Sequence, residues 1–214
     1  MNIIPLSFLG SLILLDKYAV GEFGFSQPII AGTIIGALYG DVKSGILIGA
    51  LFQLIFLANL PIGKDVPPDA QAAGIAGSGA YFIMKKTTQS EPNLMVIFLL
   101  GILVAVLGNL LDTLVRRVNE QFFYQFLRDE KRLYFCHFLG LGTSFLRGVV
   151  LFLPIFWIVS FLPLTVLKAD FNREFLLIII VALGLANGIY LYLKKESFYF
   201  LVLGILCTLA FFVL

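Results

Sequence analysis

Two uncharged stretches, Phe23–Gly40 and Ser44–Gly63, flank a three-residue charged turn, Asp41-Val42-Lys43. The second runs into a polar, proline-bearing break, Lys64-Asp65-Val66-Pro67-Pro68-Asp69. At ~1.5 Å per residue each stretch is long enough to cross a bilayer core as a helix. Charge at that depth is costly unless it is paired or lines a cavity. Apolar spans enclosing an interrupted charged element are what a solute pathway needs, so the pattern predicts a membrane protein that moves something across a bilayer.

Composition agrees. Sixty per cent of the 214 residues are hydrophobic and 22 are Phe, outside the balance of a soluble domain. The net charge of +2, without a basic cluster, gives no reason to expect nucleic acid. Cys136 and Cys207 lie in apolar sequence with no CxxC or Cys/His spacing, and read as buried thiols. The first fifteen residues have no basic n-region and no small-residue cleavage site before Asp16, and are expected to stay as a short membrane segment. No Walker, GxSxG or HExxH sequence occurs, and no cofactor or metal site is expected.

Uncharged stretches occur at 3–15, 23–40, 44–63, 70–84, 92–111, 148–167, 175–193 and 197–214, with a less regular one at 133–146. Residues 3–15 and 70–84 are short for a full span and are expected to be tilted, re-entrant or half-helices. The interval 112–132 carries nine charged residues among 21 and is expected as an amphipathic helical connection at the surface. It divides a Gly/Ala-rich membrane region, 1–111, from C-terminal membrane helices, 133–214. The fold class is therefore all-α and polytopic. Lys85-Lys86 and Lys194-Lys195 read as interfacial anchors.

Gly32, Gly36 and Gly40 recur every four residues, and Gly45 and Gly49 continue the spacing. Such faces let another backbone approach closely, either as ordinary bundle packing or as a compact unit that slides as one body. Gln53, Asn59 and Gln27 are amides in apolar surroundings; they can bond neighbouring helices, or present donors and an acceptor to sugar hydroxyls. Asp69 follows two prolines and precedes AQAAGIAGSGA, the position of a helix N-cap. Capping at mid-membrane and docking of a polar substrate are compatible there. Arg147 is expected to pair with a carboxylate of the polar interval or with a lipid phosphate, and His137 to be an interface residue rather than a base.

The ordered elements Glu22, Phe23, Pro28, Gly40-Asp41, Gly45, Gln53, Ile62-Gly63 and Pro67-Pro68-Asp69 resemble the membrane subunit IIC of the mannose/fructose/sorbose class of the bacterial phosphoenolpyruvate-dependent sugar phosphotransferase system. A second, weaker likeness covers Gly108-Asn109-Leu110, His137 and Arg147, and the whole extends over about 16–155. The resemblance implies an elevator-type transporter subunit in the bacterial cytoplasmic membrane. It implies a IID partner, assembly as trimers of the pair, and phosphorylation of the incoming sugar by a cytoplasmic IIB subunit charged through IIA. IIC itself then has no catalytic residue.

Residues and resemblance together nominate Asp69, Gln53 and Asn59, with Glu22, Gln27 and Lys64, as the polar wall of a hexose site. A small-molecule-binding subunit of an energy-coupling transporter is the alternative of similar size, and a membrane lipid-modifying enzyme would need clustered Asp or His that the spans lack. Seven basic residues in 112–132 and at 194–195 against four at Lys85, Lys86, Lys168 and Arg173 predict that 112–132 is cytoplasmic.

Overall fold

The computed structural model describes residues 2–59, 67–126, 130–162, 172–192 and 199, and these are helical with short connections. Helix α1 is Ile3–Leu15, continued by a π-helical turn, Asp16–Val20. Then come α2 (Pro28–Leu38), α3 (Val42–Ile55), α4 (Ala70–Thr88), α5 (Leu94–Phe126), α6 (Glu130–Phe161) and α7 (Arg173–Tyr192). The stretch 197–214, with Cys207, and the basic residues 168 and 194–195 lie outside the described residues apart from Tyr199.

Three of these helices, over Leu94–Tyr124, Tyr134–Phe161 and Arg173–Tyr190, are long and apolar enough to cross a membrane. Their outward faces carry large apolar side chains at helical spacing. Leu99, Ile102, Leu103, Val106 and Leu110 form such a stripe on α5. A stripe of that width is what lipid contact requires. The stretches 133–146 and 148–167 are not separate segments: both fall largely within α6, and Arg147 lies inside it.

The first two expected spans are shorter than their uncharged sequence. Helix α2 has 11 residues and α3 has 14, so neither reaches across ~30 Å of hydrocarbon. Pro28 opens α2, and Asp41 caps α3 by accepting from the Ser44 amide at 3.1 Å. Hydropathy responds to side chains and does not register where the backbone unwinds. The two helices form a tight hairpin. A Cβ on Gly32 would lie 2.5 Å from the Gly45 carbonyl, and one on Gly36 would lie 2.8 Å from the Gly45 Cα. Gly49 is in the same way against the Pro28 backbone. Gly40 does not share this face. It follows the helix with φ of 76°, and serves the turn.

Helix α4 is the central element, buried almost continuously from Ala72 to Met84. Small residues allow this. Phe52 of α3 fills the space left by Gly77 of α4 and Gly101 of α5, and Phe156 of α6 lies against Gly79. Because lipid is as apolar as the core, such close contacts rather than exclusion from water hold membrane helices together.

Candidate functional site

The charges at membrane depth gather where α4 begins. Asp69 caps α4, its Oδ1 accepting from the Ala72 amide at 3.1 Å, so the capping expected from sequence is present. Its own amide donates to the Ala105 carbonyl of α5 at 2.9 Å, which fixes the level of the cap against the middle of that helix. The carboxylate is 1% exposed and is reached from two sides: Arg147 Nη2 lies 2.6 Å from Oδ2 and Lys17 Nζ lies 3.2 Å from Oδ1.

Arg147 then turns its other arm to Asp112, with Nη1 2.6 Å from Oδ1, and Asp112 Oδ2 lies 2.7 Å from Arg116 Nε. One unbroken chain of charge thus joins the π-turn, α4, α5 and α6. Arg147 sits near the midpoint of the Tyr134–Phe161 span, about 20 Å from either end at 1.5 Å per residue. Buried ionisable groups at that depth mark a functional region by default. The pairing of Arg147 with a carboxylate of the polar interval follows the sequence expectation. The interval itself departs from it: residues 112–126 continue α5 and 130–132 open α6, and Asp112 is 4% exposed rather than at the surface.

Three helix ends meet here through close contacts and polar side chains. Pro28 is wedged between Gly49 of α3 and Gly74 of α4, which places Gln27 beside the second turn of α4. One turn beyond Gly49, Gln53 donates from Nε2 to the Gln27 Oε1 at 3.0 Å. Its own Oε1 is buried and has no hydrogen-bond partner among the described residues. Asn59, past the end of α3, donates to the Pro68 carbonyl at 3.3 Å. The amides and Asp69 therefore belong to one polar region, made of two pairs and an ion chain.

One nominated residue stands apart. Glu22 is exposed, with φ of 57°, on a loop that wraps a different carboxylate. That carboxylate is Asp16, buried at 5%, which accepts from the amides of Phe23 (2.7 Å), Gly24 (3.0 Å) and Ser26 (3.0 Å). Lys64 lies outside the described residues. The sequence reading missed Asp112 and Lys17, and the lone amide Asn187 in the apolar run 175–193 was the signal for another contact given below.

A second charged cluster marks the opposite end of α4. Lys85 Nζ lies 2.8 Å from Asp41 Oδ2 and 3.2 Å from Glu91 Oε1, and Arg173 Nη1 lies 3.0 Å from Glu91 Oε2. The Lys85 hydrogen bond, helped by Ser44, holds the Asp41 carboxyl down at about 2. Burial pulls Glu91 upward, but hydrogen bonds from Tyr81 and Lys85 outweigh it and leave the group below its ordinary range. Side chains here are a third to a half exposed, in contrast to the Asp69 end.

Such an arrangement can bind and orient a neutral polar solute; the described residues contain no cluster of His, Cys, Asp and Glu able to hold a metal. Comparison with known proteins is consistent in its direction. The mannose-specific EIIC component of the phosphotransferase system of Escherichia coli is 33% identical over 101 residues, 47% of this chain and 36% of that protein. The sorbose-specific EIIC component of Lacticaseibacillus casei is 28% identical over 149 residues, 67% of this chain and 52% of that protein. The alignments thus span about a third to a half of these curated relatives. A solved membrane-protein structure superimposes with a TM-score of 0.76 at 24% identity, covering 96% of this chain and 85% of the other. The structure of the mannose transporter ManYZ with a microcin superimposes at 0.56 and 23% identity, covering 96% and 84%. These two establish likeness of fold. The family model described as the sorbose-specific IIC component of the phosphotransferase system matches residues 1–213, and the chain belongs to that family.

Proposed function

We propose that this chain is a translocation subunit of a sugar phosphotransferase complex, and that the region around Gln27, Gln53, Asn59 and Asp69 forms the wall of its hexose path. The observation that carries the site is the buried Gln53 Oε1, an acceptor left over when the Gln27–Gln53 pair forms. A buried polar atom of this kind calls for a donor, and a sugar hydroxyl supplies one. Asp69 enters as the residue that fixes the start of α4, its oxygens being held by Arg147, Lys17 and the Ala72 amide.

Family membership supports the remainder of the reading: a IID partner, phosphorylation of the sugar by IIB, and elevator-type movement of the compact glycine-faced unit against a scaffold. It also supports assembly as IIC–IID oligomers in the bacterial cytoplasmic membrane, and disfavours the energy-coupling alternative. The basic count favours a cytoplasmic side for the charged end of the 112–132 interval, beyond the buried Asp112.

The test is binding of radiolabelled mannose and sorbose, the sugars in whose names the relatives are described, to the purified complex. Gln53→Ala and Gln27→Ala are expected to weaken binding at least tenfold while the complex still assembles. Wild-type affinity in both variants would remove the amides from the path. Asp69→Asn is the less clean probe, because it also unbalances Arg147.

A further inference from the structure

Helix α7 has no part in the family motifs, yet it reaches the broken end of α3. Asn187 Nδ2 donates to the carbonyls of Leu54 at 3.2 Å and Ile55 at 3.0 Å. These are the last two residues of α3; the Leu54 carbonyl also accepts from the Leu57 amide at 3.4 Å in the turn beyond the helix, and the Ile55 carbonyl follows it at the helix end. At a helix end away from water, a donor from a neighbouring helix completes the bonding that such irregular turns leave partial. The approach is built for closeness. A Cβ on Gly184, one turn before Asn187, would lie 2.6 Å from Leu54 Cδ2 and 2.8 Å from Leu54 Cβ. At its other end α7 is tied by Arg173 to Glu91.

The two carbonyls held by Asn187 directly follow Gln53 in the chain. The backbone they fix is therefore the backbone from which the Gln53 amide reaches Gln27. We infer that Asn187 is a positioning residue for the sugar path: its amide clamps the unwound end of α3 and so sets the direction of the Gln53 amide towards the sugar. The inference rests on the sugar-binding reading above and extends it to the C-terminal part of the chain. Asn187 itself acts through α3 and makes no sugar contact. Leucine at 187 would fill similar space and donate nothing. Glutamine would keep the amide on a stem one methylene longer.

The experiment is a double-mutant cycle on the purified complex, with labelled mannose and sorbose as probes and thermal unfolding measured in parallel. Wild type, Asn187→Leu, Asn187→Gln, Gln53→Ala and the double variant Asn187→Leu/Gln53→Ala are compared. Asn187→Leu is expected to weaken binding about fivefold or more, and Asn187→Gln less. The double variant is expected to bind no worse than Gln53→Ala, because the clamp matters only through that amide. Asn187→Leu with wild-type affinity would overturn the inference. So would losses that multiply in the double variant, since a merely structural role lowers affinity whatever stands at 53. Should Asn187→Leu not accumulate, Asn187→Gln is carried through the same cycle with the same two refuting outcomes. Failure of the sugar reading looks different: wild type binds neither probe, or Gln53→Ala binds as wild type does.

Discussion

Asp112 faces two arginines, and removing it should expose how differently burial treats them. Arg147 Nη1 lies 2.6 Å from one carboxylate oxygen, both side chains being at most 5% exposed. Arg116 Nε lies 2.7 Å from the other, but its side chain is 64% exposed. At 2.6 Å and an effective dielectric of ~20 the gross attraction to Arg147 is about 6 kcal/mol. Desolvation of both groups offsets much of it, so the pair adds little net stability over an apolar pair. Breaking it is another matter, because the guanidinium stays behind. Among the described residues Lys17 and Arg147 face Asp69 and Asp112 in the buried part of the chain of charge. Asp112→Ala leaves the buried Arg147 guanidinium without this carboxylate, and should cost about 3–5 kcal/mol. Arg116→Ala removes only an exposed i,i+4 pair and should cost about 0–1 kcal/mol. Replacing Asp112 and Arg147 together by Leu leaves Asp69 with Lys17 and the Ala72 amide, and should recover part of the loss. Unfolding of the detergent-solubilised protein by titration with SDS compares these three variants with wild type. An Asp112→Ala protein within about 0.5 kcal/mol of wild type, or matched by Arg116→Ala, would refute the reasoning.

The hairpin glycines should differ by mechanism. Gly45→Ala drives a methyl into the Gly32 carbonyl and to 2.8 Å from the Gly36 Cα, and should destabilise by about 1–3 kcal/mol. Gly40→Ala meets open space and carries only the strain of φ 76°, about 1–2 kcal/mol, in the same unfolding assay. Asp41 gives a pH dependence. Its carboxyl is lowered from 3.8 to about 2, so its contribution is full above 3.8 and disappears as pH falls through 2. Asp41→Asn should flatten the acid limb of a stability–pH curve over that window, and an unchanged limb would exclude the Lys85 contact as its cause. A cysteine at Gln121, which is exposed on α5, should resist a membrane-impermeant thiol reagent added outside intact cells. Labelling there would reverse the proposed orientation.

Much of the fold was legible because hydropathy and capping are local. Helix α1 occupies 3–15, as its uncharged run indicates, and Asp69 caps α4 where the proline pair and the small residues place it. Arg147 found its carboxylate because charge in an apolar helix has few alternatives. The lengths of α2 and α3 were not legible, since an unwound uncharged backbone reads the same as a helix in hydropathy. Asp112 was hidden by averaging. A charged run was treated as uniformly solvated, although Asp112 is the residue of that run nearest the apolar part of α5 and only the following residues turn outward. Asn187 acts on an element 132 positions away, and no local pattern records that.

Helix α4 has a consequence for how the protein is made. Rich in Ala, Gly and Ser, it is not among the helices apolar enough to cross a membrane on their own, and it is enclosed by α2, α3, α5 and α6. Its capping carboxylate meets Lys17, synthesised earlier, and Arg147, which comes 78 positions later. At ~5–20 residues per second, ~4–16 s pass between the two on the ribosome. Throughout that interval the nascent chain holds a weakly hydrophobic segment with a carboxylate at its tip and its arginine partner unmade. Stable placement of α4 is therefore expected only once α6 has been made.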